Sequence, residues 1–97
     1  MPALDDVIAA IDRIRPALTE RGVLRIGVFG SVARGEQSTG SDVDILVELT
    51  DESDLFDLAA IRRMLSKAMD CDVDVVSERG LKPDIRAAVL RDVHYAA

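Results

Sequence analysis

The chain has one cysteine, one histidine, three prolines, three aromatic residues and no tryptophan in 97 residues. A lone Cys71 excludes an internal disulfide framework. Phe29, Phe56 and Tyr95 are too few for aromatic stacking to be a main means of gripping single-stranded nucleic acid. Lys and Arg number 12 against 18 Asp and Glu, and the net charge of −6 disfavours a non-specific DNA binder or a protein that adheres to an anionic membrane. No apolar run approaches the ~20 residues of a membrane span. The N-terminal stretch MPALDDVIAAIDR lacks the basic-then-apolar order of a secretory signal, so a cytoplasmic location is expected. The composition, 48% hydrophobic and 31% charged, is that of a globular protein. Its length suits one core, hence a single domain over residues 1–97.

Hydrophobic spacing divides the chain into six elements. Val7, Ile8, Ile11, Ile14 and Leu18 recur every three or four residues, predicting a helix over 4–21 with a kink or restart at Pro16 and a C-terminal stop at Gly22. Val23 to Phe29 reads as a buried strand and the glycine- and serine-rich residues 30–41 as a loop, with one helical turn after Ser31. Val43 to Leu49 alternates as a strand, with Val43, Ile45, Val47 and Leu49 on one face and Asp42, Asp44, Leu46 and Glu48 on the other. A second helix over 55–69, capped by Ser53 or Asp54, would bury Leu55, Leu58, Ile61, Leu65 and Met69 and leave Arg62, Arg63 and Lys67 in water. Val73 to Val76 forms a third strand. A last helix runs from Pro83 to about His94, with Ile85, Val89 and Val93 on one face. The order predicts an α/β fold around a small sheet.

Three features carry chemistry. Gly30-Ser31 directly follows an apolar strand, where glycine admits close approach to a ligand and serine offers a hydroxyl and an amide suited to phosphate. Asp42 and Asp44 lie two apart on a strand, sharing a face at ~6.6 Å. Their mutual repulsion suits either a solvated edge or a hard divalent cation. A later strand supplies Asp72 and Asp74. If it lies beside the first, a third carboxylate reaches the same face, and three carboxylates can hold two metals ~3.5–4 Å apart for in-line phosphoryl or nucleotidyl transfer. Asp74 is the choice because it lies deeper in the apolar run, with Asp72 as the alternative. Cys71 reads as a small filler and His94 as a helix-end cation.

The combined motif, in the stretch GSVARGEQSTGSDVDILVEL and the later VDVV strand, resembles the polymerase-beta-like nucleotidyltransferase superfamily. Within it, the chain is most similar to the minimal nucleotidyltransferases, the antitoxins of HEPN/MNT toxin–antitoxin pairs. The resemblance covers nearly the whole chain, ending with LKPDIRAAVLRDVHYA. It implies a small mixed β-sheet flanked by helices. It also implies nucleotide binding by Gly30 and Ser31, with Arg34 of the ARGE segment touching phosphate. Asp42, Asp44 and Asp74 would be the catalytic carboxylates and the ligands of two magnesium ions, with manganese as a substitute. ATP would be the substrate, and AMP would pass to a hydroxyl, a tyrosine, of a HEPN ribonuclease toxin encoded nearby. The expected partners are this toxin and ATP, in a homo- or hetero-oligomer, with neither membrane nor nucleic acid as a direct partner. Two rival readings stand beside it. One is an antitoxin that neutralises by binding alone; the other is a nucleotidyltransferase acting on a small molecule or an RNA end.

Overall fold

A computed structural model describes residues 3–36 and 42–96. The elements run α1 (Leu4–Glu20), β1 (Val23–Phe29), the single turn α2 (Gly30–Ala33), β2 (Val43–Leu49), α3 (Leu55–Met69), β3 (Val73–Ser77), a 3-10 turn (Glu78–Gly80), α4 (Pro83–Asp92) and β4 (His94–Tyr95). The four strands form one sheet in the order β3-β2-β1-β4. β2 and β3 are parallel, while β1 is antiparallel to β2 and to β4, so the sheet is mixed as expected. The loop expected over 30–41 is described only to Glu36. Residues 37–41, including Ser41 ahead of Asp42, lie outside the described residues.

The period of two decides which strand face makes the core. Val43, Ile45 and Val47 of β2 are buried with Ile26 and Val28 of β1 and Val73 of β3. Against them pack Val7, Ile11 and Leu18 of α1 and Ile61 and Leu65 of α3. Each such side chain contributes about 1.5–3 kcal/mol on burial. The opposite face is covered unevenly. Leu46, expected among the polar-side residues, is buried there beside its strand neighbours Gly27 and Val76. α4 contributes a single buried residue, Val89.

Local signals explain most boundaries. Asp54 caps α3 by accepting from the Asp57 amide at 3.0 Å, and the Asp57 carboxylate accepts from the Asp54 amide at 3.1 Å. Gly22, at φ +94°, ends α1 by donating to Thr19 O. Its carbonyl accepts from Thr50 N at 2.9 Å, which pins the two loops together.

Four expectations change. α1 does not restart at Pro16 but runs through it to Glu20. A proline inside a helix costs about 3 kcal/mol; burial of Leu18 just beyond it, worth about 1.5–3 kcal/mol, offsets that. Leu55 is not in the buried stripe of α3 but 81% exposed, because that stripe meets the core only from Leu58 onward. Ile85, expected on the buried face of the last helix, is half exposed. α4 stops at Asp92, and His94 and Tyr95 pair with Val28 and Gly27 along the edge of β1. Gly27 permits this: a Cβ there would lie 2.6 Å from Cγ2 of Val93.

Candidate active site

β1 carries the chain to Phe29, which stands opposite Asp44 of β2. Gly30 then turns it with φ +75°, the left-handed region that side chains resist. A Cβ on Gly30 would also overlap the Oδ2 atom of Asp44, so glycine is required here on two grounds. Ser31 follows in the single turn of α2, whose first carbonyls are taken up locally: Glu36 N donates to Ser31 O at 2.8 Å and Arg34 N to Gly30 O at 3.1 Å. The Gly-Ser pair therefore abuts the aspartate strand.

On the other side of Asp44, the parallel register sets Asp74 of β3 level with it. Both side chains point away from α1 and α3, onto the sparsely covered face. Asp42 sits two residues ahead of Asp44 and is exposed, while Asp44 is partly buried. Partial burial raises the Asp44 carboxyl above its ordinary pKa, the neighbouring Asp74 and Asp42 carboxylates raise it further, and Arg34 opposes them. Asp42 is also raised, first by lost hydration, then by repulsion from Asp74 and Asp72 and by a hydrogen bond with Asp74; Arg62 works against this. Asp74 thus raises both Asp42 and Asp44, and Asp72 adds to the repulsion on Asp42. The backbone carbonyl of Asp72 accepts from Val43 N at 3.3 Å.

Two arginines frame the group. Arg34 donates from Nε to Glu36 at 3.0 Å and from Nη1 to Asp92 at 2.8 Å, fastening α2 to the end of α4. Those bonds hold its guanidinium above its ordinary pKa. Arg34 is engaged with carboxylates here, although its charge still reaches Asp44. Arg62 is exposed, as expected of the wet side of α3. It donates from Nε to the carbonyl of Val73 at 3.1 Å, which places a cation beside Asp42. No helix pattern marks it, because the contact is made by a strand that follows α3. Cys71 is partly buried, and its thiol is pushed up chiefly by that burial, which makes it a poor nucleophile. His94 belongs to β4, on the far edge of the sheet from β3.

The donor set is hard oxygen, which suits magnesium or manganese. A cation would relieve the repulsion that raises Asp42 and Asp44. Among the described residues no three His, Cys, Asp or Glu side chains converge into a metal cage of their own. Sites of one or two carboxylates completed by substrate phosphate are the usual form for magnesium. Among the described residues, no helix is long and apolar enough to cross a membrane.

Known proteins resemble this chain in sequence and fold. The sequence profile of a family described as "Nucleotidyltransferase domain" matches residues 11–95. The protein adenylyltransferase MntA of Thermococcus cleftensis is 38% identical over 96 residues, covering 98% of this chain and 97% of the relative. A solved structure of a candidate minimal nucleotidyltransferase is 38% identical and superposes with a TM-score of 0.85 over 96% of this chain and 95% of its own. A chain from the crystal structure of a toxin–antitoxin with AMP-PNP is 27% identical, with a TM-score of 0.74 over 89% of this chain and 71% of its own.

Proposed function

The chain belongs to the nucleotidyltransferase domain family, and from that premise we propose that it transfers AMP from ATP to a hydroxyl of a partner protein. The partner is a HEPN-type ribonuclease toxin, the acceptor a tyrosine, and this chain the antitoxin. One observation carries the reading: the β2–β3 register gathers Asp42, Asp44 and Asp74 on the open face, next to Gly30-Ser31. The adenylyltransferase relative and the toxin–antitoxin structure with AMP-PNP support the donor and the class of partner.

Gly30 and Ser31 bind the triphosphate, the glycine by letting the backbone approach and the serine through its hydroxyl and amide. Asp42, Asp44 and Asp74, together with the triphosphate, would hold magnesium, which when bound would neutralise triphosphate charge and favour pyrophosphate as the leaving group. Asp74, exposed at the edge of the group, takes the proton of the acceptor hydroxyl. The hydroxyl oxygen bonds to the α-phosphorus as the bond from that phosphorus to the bridging oxygen breaks, and pyrophosphate departs. Positioning and electrostatics supply most of the acceleration. Arg34 is held by Glu36 and Asp92 through Nε and Nη1, which leaves Nη2 to reach phosphate, so it adjusts affinity rather than creating the site.

The test is intact-mass spectrometry of the HEPN-type product of the neighbouring gene after incubation with this chain, ATP and magnesium. One or more adenylyl groups are expected, and none with Asp42→Asn/Asp44→Asn. A toxin that stays unmodified, yet is neutralised equally by both forms, refutes transfer and establishes neutralisation by binding.

A further inference from the structure

The helical layer covers the sheet face away from the carboxylates, and its outer surface carries two patches of opposite character. At one end, the first turn of α3 leaves Leu55 and Phe56 81% and 82% exposed. Their chain neighbours are acidic: Glu52, Asp54 and Asp57, in a stretch from Glu48 to Asp57 with five acids and no base. Arg21, at 3.6 Å from Asp57, is a loose counter-charge. At the other end, α1 and α3 frame a groove of about 440 Å³ lined by Arg13, Ile14, Ala17, Met64, Lys67 and Ala68. Its apolar floor is flanked by cations. Arg13 bridges it by donating to Ala68 O at 3.2 Å.

The two patches lie along one line. Phe56, Arg63 and Lys67 recur at i, i+7 and i+11, on a single stripe of α3. Eleven residues of helix separate the ends of this stripe by ~16 Å. A two-fold axis across its middle sets two α3 helices antiparallel. Each acidic, apolar first turn then faces the basic, apolar groove of the other copy. Such a surface is complementary to itself, which an isologous contact demands.

We infer that this face is a homodimer contact in which Phe56 of each copy enters the groove between Arg13, Met64 and Lys67 of the other. Two phenylalanines, each able to bury ~150–250 Å², supply its apolar centre, and the acidic turns against Arg13, Arg63 and Lys67 fix its register. A molecule of 35 × 31 × 23 Å has a face broad enough for the ~800 Å² per partner of a standard interface. The contact leaves the carboxylate face of each copy free for an acceptor.

Sedimentation velocity on the full chain, from micromolar to sub-millimolar concentration, tests this. The unaltered protein should dimerise, less readily as salt rises. Phe56→Ser and Lys67→Glu should each weaken association about tenfold or more, as hot-spot losses do. Circular dichroism should be unchanged, since Phe56 and Lys67 are both exposed. Mixing the two variants should restore association above that of either alone. The mixed pair keeps one intact contact, between Phe56 of the Lys67→Glu chain and the groove of the Phe56→Ser chain. The inference is overturned if the unaltered chain stays monomeric throughout, which would leave the face to a different protein. It is equally overturned if association ignores both substitutions, or if mixing gains nothing.

Discussion

Replacing Gly30 by alanine probes the closest approach in the site. The substitution meets two separate penalties. Its φ of +75° puts an L-residue in the left-handed region, at about 1–2 kcal/mol. Its Cβ overlaps Oδ2 of Asp44 and comes within 3.1 Å of the carboxyl carbon, an overpacking penalty of about 1–3 kcal/mol. Together they amount to about 2–5 kcal/mol, a large share of the ~5–15 kcal/mol that stabilises a domain. In a chain of this length the melting temperature should fall by roughly 10 °C or more.

The two penalties can be separated by repeating the change in an Asp44→Ala background. There the new methyl meets only a Cβ, at 3.3 Å, which a few tenths of an ångström of relaxation accommodates. The cost of Gly30→Ala should then drop to the backbone component, about 1–2 kcal/mol. Urea unfolding of the four proteins, without metal, gives this cycle provided the denaturant slope is common to all four. Equal costs in both backgrounds would refute the steric half of the reasoning and leave Gly30 as a turn residue only.

The raised Asp44 and Asp42 carboxyls predict the pH dependence of the metal-free protein. A pKa higher in the folded than in the unfolded chain means that the folded state holds more protons, so its stability is greatest below the ordinary carboxyl value of 3.8 and declines as pH rises through the folded values. Thermal unfolding from acid to neutral pH should show that decline, and Asp44→Asn should flatten it; a variant curve parallel to the parent's would contradict the assignment. Pro16→Ala should stabilise the chain, since α1 already runs through this exposed position. The helix-interior cost of about 3 kcal/mol, less about 0.4–1 kcal/mol for a freer unfolded chain, leaves roughly 2 kcal/mol. Calorimetry that finds no gain would mean that α1 has adapted to the ring.

The parts of the site that sequence reveals are those governed by a local period. Asp42 and Asp44 share a face because a strand repeats every two residues, and Gly30 is marked by a turn that directly follows an apolar strand. Asp74 belongs to a different case. Its depth in the VDVV run favours it over Asp72, yet what sets it level with Asp44 is a parallel register that only the folded sheet defines. The unforeseen features are made by segments far apart in the chain. Arg62 finds its carbonyl on β3, Arg34 finds Asp92 at the end of α4, and His94-Tyr95 leaves the helical pattern for the edge of β1. Even there, one local sign existed. Among the described residues Gly27 is the only glycine inside a strand, a position where glycine weakens the strand unless something must come close. What comes close is Val93, with the carbonyl of His94 and the ring of Tyr95 beside it. The same argument applies to Gly30 against Asp44. Both glycines of the β1 region mark places where another part of the chain approaches the backbone, one to complete the sheet and the other to bring a carboxylate against the Gly-Ser turn.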